Sequence, residues 1–313
     1  MPSFNRLPTL TQLRHLIALS EYRHFGKAAE ACFINQSSLS ASIKELESIL
    51  EGTLVERTRR TVIVTALGID VVSRARKVVT DVEDIVDHVR ADGQPLSGIL
   101  RLGVIPTIAP FLLPRTLPNL RRAYPDLQLY LREDRSAELV HQLTVGELDL
   151  LILAMPYPTP GLQTYLFADD PLWVAYPLGH PNSESERVSP SALKKDTLLL
   201  LEEGNCLRDH ALGACRQSNR SANMDFYASS LHTLIQMVDN GLGVTLLPKM
   251  AVDAGIARST KTVLRPLDGK GTSRKIGLAW RTTSARQKDF SLISEFFRDE
   301  LATPLSPRQK GNV

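Results

Sequence analysis

Two cysteines are the residues of this sequence best suited to do chemistry. Cys206 and Cys215 lie nine positions apart in the stretch LLLLEEGNCLRDHALGAC, and the whole chain holds only 3 cysteines. This spacing is too long for a CxxC redox pair or for the knuckle of a zinc site. Cys206 is the better nucleophile, because it follows a glycine break after an apolar run and has Arg208 nearby to favour the thiolate. On spacing alone, two unreactive core thiols are the commoner outcome, and Cys32, in an alanine-rich helix, is assigned to core packing.

The composition is that of a globular protein with more than one domain. The chain has 313 residues, of which 43% are hydrophobic and 23% charged, and its net charge of +3 neither requires nor excludes a nucleic-acid partner. No apolar run approaches the roughly 18 residues of a membrane span, and the N-terminus lacks the pattern of a secretion signal. So few cysteines indicate a reducing compartment, and we therefore expect a cytoplasmic protein without membrane association. We also expect no metal and no cofactor, because there is no Walker loop, dinucleotide fingerprint or metal-spaced cluster.

The first sixty residues predict three helices. Thr9 and Gln12 form a T-x-x-Q capping box, which indicates a helix from about Leu10 to Glu21. A short alanine-rich helix, KAAEACF, follows a break. Asn35 is then a good N-cap for QSSLSASIKELESIL, whose apolar residues are expected to face inward: Leu39, Ile43, Leu46 and Leu50.

This order of helices favours a winged helix-turn-helix over residues 1–65 that binds double-stranded DNA. Small polar side chains on the third helix suit contacts with base edges and phosphates, and the candidates are Gln36, Ser37, Ser38, Ser40 and Ser42. The segment LVERTRRTVIVT predicts a hairpin whose arginines touch phosphates, namely Arg57, Arg59 and Arg60. The alternative is a small helical domain with a solvated serine-rich face and an exposed basic loop.

Residues 66–92 predict one long helix that joins two chains. Apolar residues recur there at alternating steps of three and four, at Ile69, Val72, Ala75, Val79, Val82, Val86 and Val89. So narrow a stripe is typical of a coiled-coil seam, and a second copy of the same helix is its simplest partner. We therefore expect a homodimer, although a helix packed on its own domain is the alternative.

The remaining two thirds predict two α/β lobes. ILRLGVI, LQLYLRED and LDLLILAM alternate with helices, which indicates a parallel sheet with ligands at the carboxyl ends of its strands. Further strands, DPLWVAYPL, TLLLLE and GVTLLP, belong to a second lobe, with a helix over residues 230–239. We expect one lobe at 93–168 and 271–302 and the other at 169–270, with a cleft between them. The tail, 303–313, is expected to be disordered.

This order of parts resembles the LysR-type transcriptional regulators over the chain up to about Leu301. EEGNCLRDHALGAC and GVIPTIAPFLLP resemble more specifically the peroxide-sensing OxyR branch. The resemblance implies an α/β fold with an N-terminal winged helix-turn-helix, a long linker helix and a two-lobed, periplasmic-binding-protein-like regulatory domain. It also implies that hydrogen peroxide oxidises Cys206, which then pairs with Cys215 as the resolving thiol. Members bind DNA as tetramers built from dimers, and an activator would also contact RNA polymerase.

The same resemblance implies a peroxide pocket around Cys206. By this resemblance, the residues of the pocket are Thr107, Ser136 and Arg274, together with Asn205 and Arg208 beside the cysteine. Donors of this kind orient peroxide and stabilise the departing hydroxide, whereas the plain alternatives are helix caps for the two hydroxyls and a surface charge for Arg274. Many close relatives have a histidine where this chain has Asn205, and an amide carries no proton near neutral pH. His210, four positions after Cys206, is a candidate for that role that the sequence leaves open.

The cysteine spacing has a mechanical consequence. Along one helix, nine rises of about 1.5 Å would place the two Cα atoms ~13 Å apart, whereas a disulfide needs roughly 4.4–6.8 Å. The bond therefore requires this segment to unwind or to move. The cysteine pair is thus expected to switch the protein between two conformations rather than to brace a single one. Two alternatives compete with a redox-switched regulator. One is a LysR-type regulator that answers a small metabolite in the interlobe cleft; the other is a thiol peroxidase. A peroxidase does not need an arginine-rich wing, so we expect that this protein is not an enzyme.

Overall fold

The computed structural model describes residues 7–57, 62–90, 95–215 and 222–302. It divides into two compact units, residues 1–93 with 144–147 and residues 94–143 with 148–313. Within the described ranges, no helix is both long and apolar enough to cross a membrane. The predictions for Arg59, Arg60 and the tail 303–313 fall outside the described residues. The finer division into four domains stays a prediction.

The first unit contains three short helices, a hairpin and one long helix. These are α1 (Leu10–Tyr22), α2 (Phe25–Ala31), α3 (Gln36–Leu50), β1 (Val55–Arg57), β2 (Val62–Val64) and α4 (Ala66–Arg90). β1 and β2 pair antiparallel, as predicted for the wing. The capping box is confirmed, because the Thr9 hydroxyl accepts from the Gln12 N–H at 3.2 Å and the Gln12 side chain accepts from the Thr9 N–H at 2.9 Å.

The predicted third helix is confirmed, with one error in its buried face. Asn35 caps α3 by accepting the Ser38 N–H at 2.8 Å. Leu39, Ile43 and Leu46 are completely buried, but Leu50 is 37% exposed. Leu50 is the last residue of α3, and Glu51 turns the chain in the left-handed conformation, so the side chain lies past the end of the core.

The apolar stripe of α4 divides between two roles. Val72 and Ala75 are buried within their own unit, where Val72 belongs to the same core as α1 and α3. Ile69, the first residue of the predicted stripe, is 63% exposed. Val78 and Ile85, which were not part of that stripe, are also exposed, at 46% and 63%. The expectation that the whole stripe is free for a partner is therefore wrong for Val72 and Ala75, in the part of α4 that packs within its own unit, where α1 contacts α4.

The second unit begins with the predicted parallel sheet. β3 (Gly98–Val104) lies between β4 (Leu127–Glu133) and β5 (Leu150–Met155) and is parallel to both. The connecting helices are α5 (Ala109–Ala123) and α6 (Ser136–Thr144). On the other side of β5 lies β11 (Ser273–Arg281), which is antiparallel to it.

One long strand, β6 (Leu162–Tyr176), continues the sheet. It pairs with β11 as far as Pro171, and then with β9 (Thr245–Pro248) and β10 (Val263–Pro266). The remaining elements are β7 (Leu198–Leu201), α7 (Cys206–Cys215), β8 (Ala222–Ala228), α8 (Leu231–Asp239), α9 (Lys249–Asp253) and α10 (Gln287–Ala302). The sequence patterns did not predict β8, β10, α9 or the first half of β6. The predicted α/β class is confirmed.

Two hydrophobic cores fill this unit. The first core lies around β3, β5, β11 and α10, and the second around the end of β6, β7, α8 and β9. Cys206 belongs to the first core, whereas Leu207, Ala211, Ala214 and Cys215 belong to the second. The helix α7 therefore joins the two cores.

Candidate functional site

The local sequence fixes where α7 begins. Gly204 has a φ of +85°, a conformation that glycine adopts without steric cost. Next to it, the Asn205 side chain accepts the Leu207 N–H at 3.1 Å, in the manner of an N-cap. Cys206 thus becomes the first residue of the helix and is 5% exposed.

A buried arginine organises the space beside this cysteine. Arg274, on β11, is completely buried and forms an ion pair with Asp170 at 2.9 Å. It also donates to the Thr107 hydroxyl at 2.8 Å and to the Thr107 carbonyl oxygen at 2.9 Å. The second carboxylate oxygen of Asp170 accepts the Met250 N–H at 2.9 Å. The charge of Arg274 is therefore paired and its hydrogen bonds are directed, as a buried cation requires.

The structure brings Ser136 and Arg274 to Cys206. Burial raises the pKa of the Cys206 thiol, and the Arg274 charge and a hydrogen bond from Ser136 oppose this rise without cancelling it. Thr107 is joined to the same cluster by its hydrogen bonds with Arg274, and it makes no capping bond to α5. In the resting state Cys206 is therefore a protonated thiol, and Arg274 and Ser136 make its ionisation easier.

Arg208 does not act on Cys206 as expected. Its guanidinium donates to the Leu201 carbonyl oxygen at 3.2 Å and lies 3.7 Å from a Glu203 carboxylate oxygen. The cation that favours the Cys206 thiolate is instead Arg274, which is distant in sequence. The expectation that Arg208 lowers the pKa of Cys206 is therefore wrong. Burial is the largest influence on that pKa, and the Arg208 side chain bonds to β7 instead.

Cys215 lies at the other end of α7. It is 2% exposed and sits in the second core, and burial raises the pKa of its thiol to about 11. All 3 cysteines are free thiols. Because Cys206 and Cys215 are the first and last residues of one helix, their Cα atoms are separated by ~13 Å, more than a disulfide can span.

Sequence reasoning missed two contributors and left a third open. Asp170 carries the countercharge of Arg274, and its only signal was an acidic residue directly before an apolar strand. Tyr157 was also missed; it packs against the first core, to which Cys206 belongs, and burial is the main cause that raises the pKa of its phenol. His210 contacts the Pro156 carbonyl oxygen through Nε2 at 3.3 Å.

The candidate nucleic-acid interface on α3 is smaller than predicted. Gln36, Ser37 and Ser38 are exposed, as expected, but Ser40 and Ser42 are half-buried. The Ser42 hydroxyl lies 2.7 Å from Nδ1 of His15, so it joins α3 to α1. Ser42 is therefore a packing residue rather than a free DNA contact. Among the residues that the structure describes, no His, Cys, Asp or Glu cluster could hold a metal ion.

Comparison with protein families assigns both units. The profile described as bacterial regulatory helix-turn-helix protein, lysR family, matches residues 10–69. The profile described as LysR substrate binding domain matches residues 93–302. The chain belongs to the LysR family. This confirms the resemblance drawn from the sequence and the DNA-binding class of the first unit.

Individual relatives refine this assignment. The chain is 40% identical to the HTH-type transcriptional regulator EstR of Acinetobacter baylyi, with 95% of this chain and 98% of the relative covered. It is 38% identical to a hydrogen peroxide-inducible genes activator of Dickeya chrysanthemi, at 93% and 95% coverage. A full-length OxyR from Pseudomonas aeruginosa, with one cysteine replaced by aspartate, superimposes with a TM-score of 0.78 at 34% identity and 93% and 98% coverage. The predicted resemblance to OxyR is thereby confirmed.

Proposed function

We propose that this LysR-family regulator senses hydrogen peroxide through a reversible disulfide between Cys206 and Cys215. The observation that carries the proposal is the position of α7. One thiol is anchored in the first core and the other in the second, and each is buried. A bond between them must withdraw at least one sulfur from its core, so oxidation cannot leave the regulatory unit unchanged.

The chemistry follows from the residues around Cys206. Its thiolate attacks one peroxide oxygen, so that an S–O bond forms while the O–O bond breaks and hydroxide leaves. Arg274 and Thr107 provide directed donors for the peroxide oxygens, and Ser136 holds the sulfur. The resulting sulfenic acid then condenses with the Cys215 thiol, forming the disulfide and releasing water.

DNA binding and assembly complete the proposed function. Gln36, Ser37 and Ser38 would contact double-stranded DNA, and so would Ser40 and the wing arginines Arg57, Arg59 and Arg60. The exposed apolar residues of α4 support a homodimer, and pairs of dimers would form a homotetramer. Such a regulator works in the cytoplasm, contacts RNA polymerase where it activates, and uses each oxidised thiol as a signal rather than turning peroxide over as an enzyme.

A second candidate is a regulator gated by a small metabolite. One observation favours it: a cavity of about 1010 Å³ lies beside α5 and α9 and is bordered by Ala168–Pro171. Cavities of this size suit small ligands. EstR, whose name does not mention peroxide, is also among the relatives.

Thiol trapping and DNA binding separate the two candidates. Wild type, Cys206→Ser and Cys215→Ser are titrated with peroxide, alkylated and assayed on the same operator. The redox proposal expects a disulfide in the wild type alone, a sulfenic acid in Cys215→Ser, and no DNA response in Cys206→Ser. If the DNA binding of a Cys206→Ser protein still responds to peroxide, the redox proposal is wrong. Catalytic rather than stoichiometric peroxide loss would instead indicate an enzyme.

A further inference from the structure

The turn between β4 and α6 places two consecutive side chains against the segment that leads into α7. Arg135, directly before α6, forms an ion pair with the Glu202 carboxylate at 2.7 Å. The same guanidinium donates to the Glu203 carbonyl oxygen at 3.3 Å. Ser136, the next residue, is buried and is hydrogen-bonded to Cys206. Neighbouring residues of one turn therefore contact both the loop before the cysteine and the cysteine itself.

The loop that Arg135 contacts is a compact turn. The Glu202 N–H bonds to the Ala228 carbonyl oxygen at 3.0 Å, and the Glu202 carbonyl oxygen accepts the Asn205 N–H at 3.3 Å. A methyl group on Gly204 would lie 3.5 Å from Nη1 and 3.6 Å from Cδ of Arg135, so the arginine packs directly against the backbone there. Arg135 thus joins this turn from a position 67 residues earlier in the chain.

Disulfide formation acts on this arrangement. About 13 Å separates the Cα atoms of Cys206 and Cys215, whereas a disulfide needs roughly 4.4–6.8 Å, so the two ends of α7 cannot both stay in place. If the Cys206 sulfur leaves the first core, the loop that enters α7 must move with it. Gly204 gives that loop backbone freedom, because glycine occupies positive and negative φ about equally well. The contacts with Arg135 would then be lost, which makes them a property of the thiol form.

We propose that Arg135 is a positioning residue that holds the loop 202–205 in its thiol-state position and thereby slows the condensation of oxidised Cys206 with Cys215. This inference rests on the proposed function. In the condensation, the Cys215 sulfur attacks the sulfur of the Cys206 sulfenic acid. The S–S bond forms as the S–O bond breaks, and the hydroxyl group leaves with the Cys215 proton as water. Arg135 takes no part in this chemistry, but its contacts break before the two sulfurs meet.

The exposure of the ion pair sets the size of the effect. The side chains of Arg135 and Glu202 are 53% and 40% exposed, so water screens their attraction. The bond to the Glu203 carbonyl oxygen is charge-assisted and adds to the ion pair. We therefore expect these contacts to slow the condensation by about two- to tenfold. A restraint of this size sets how fast the disulfide forms without preventing it.

The test follows the two oxidation steps separately in the full chain. Reduced protein is mixed with peroxide and quenched at intervals; dimedone labels the sulfenic acid, alkylation reports the disulfide, and mass spectrometry measures both. Arg135→Gln should accelerate the condensation by about two- to tenfold. The rate of sulfenic acid formation should stay the same, because Ser136 and the first core still hold the Cys206 sulfur. Arg132→Gln is the matched control: its side chain is also 53% exposed, but it pairs with Asp134 at 3.3 Å, and both rates should be unchanged.

A charge exchange distinguishes the ion pair from a general loosening of the fold. Arg135→Glu places a second carboxylate beside Glu202 and should also accelerate the condensation. Adding Glu202→Arg to the same protein recreates an ion pair with the charges reversed, so the condensation should slow again towards the wild-type rate. A side chain that acted only by stabilising the fold would not give this recovery.

The possible outcomes separate this inference from the proposed function. If Arg135→Gln condenses no faster than Arg132→Gln, the positioning role of Arg135 is wrong and the disulfide switch stands. The same conclusion follows if the charge exchange leaves the condensation as fast as in Arg135→Glu. If the wild-type protein forms no disulfide between Cys206 and Cys215, the proposed function fails and this inference fails with it.

Discussion

At the scale of single residues, the site depends on one buried charge. Arg274 has no exposed surface, yet Asp170 neutralises it, and the Thr107 hydroxyl and carbonyl oxygen each accept a hydrogen bond from it. A buried ion pair adds little net stability, but the loss of one partner leaves the other charge unpaired in a medium that solvates it poorly. The ion pair with Asp170 and the hydrogen bonds to Thr107 therefore depend on one another, because all of them involve the same guanidinium.

Asp170→Asn should lower the free energy of unfolding of the second unit by about 3–5 kcal/mol, because it leaves Arg274 buried without a countercharge. Urea unfolding followed by fluorescence reports on this unit, since Trp173 and Trp280 are the 2 tryptophans of the chain. Asp268→Asn removes the solvent-exposed partner of Arg187 and should change stability by less than about 1 kcal/mol. Equal effects of the two substitutions would contradict the stabilising role assigned to the Asp170 charge.

The thiol of Cys206 should react as a group whose pKa is raised by burial. The rate of its alkylation by iodoacetamide is expected to keep rising with pH beyond 9, since the thiolate fraction is still increasing there. Ser136→Ala removes a hydrogen bond that lowers this pKa, so alkylation at pH 8 should become several-fold slower. Peptide mass spectrometry measures both effects, and Cys32 in the same samples is the internal control. A rate that levels off below pH 8 would show that the thiolate is favoured instead.

At the scale of secondary structure, α7 is the element that oxidation must change. Its two ends lie in different cores, and the residues Leu207, Ala211 and Ala214 between them are also buried. Gly213, in its last turn, is exposed, and a methyl group there would meet nothing within 4 Å. A glycine within a helix costs about 0.5–1 kcal/mol relative to alanine. This helix is therefore less stable than its length allows.

Gly213→Ala should stabilise α7 and so oppose the disulfide. We expect the Cys206–Cys215 equilibrium with glutathione to move roughly two- to fivefold towards the dithiol, which corresponds to the helix propensity gained. Ser48→Ala, at an exposed position on α3, raises helix propensity elsewhere and should leave the equilibrium unchanged. An unaltered equilibrium in Gly213→Ala would mean that α7 stays helical in the oxidised protein.

At the scale of the whole molecule, α4 carries apolar side chains that its own unit does not cover. Val78 and Ile85 are seven positions apart and largely exposed, which is typical of a seam that a second helix covers. These exposed side chains support the homodimer proposed for this regulator. A regulator that positions two DNA-reading units needs such a joint between them.

Val78→Glu combined with Ile85→Glu should shift the protein towards monomers, because each substitution would place a charge in the seam. We expect at least a tenfold rise in the dimer dissociation constant per substitution, measured by sedimentation velocity, with a parallel loss of DNA affinity. Lys77→Glu, which changes charge at an exposed neighbouring position, serves as the control. A double variant that keeps the wild-type mass would exclude this seam as the dimer contact.

The sequence by itself determined the features that depend on near neighbours along the chain. The cap of α3 joins Asn35 to Ser38, the capping box of α1 joins Thr9 to Gln12, and the parallel strands follow from strand segments that alternate with helices. The separation of the two reactive cysteines along one helix follows from their spacing alone, because the helical rise is fixed. The resemblance to the OxyR branch also led to the pocket residues Thr107, Ser136 and Arg274.

Only the tertiary structure decided which charges meet the thiol. Arg208, two residues from Cys206, bonds to β7, whereas Arg274 arrives from β11 and brings Asp170 from β6. The exposure of Leu50 and the bond from Ser42 to His15 were likewise set by packing between helices. Periodicity shows which face of an element is apolar, but not which neighbour will cover it. Contacts between residues far apart in the chain exist only once the two cores have formed and α7 has been placed between them.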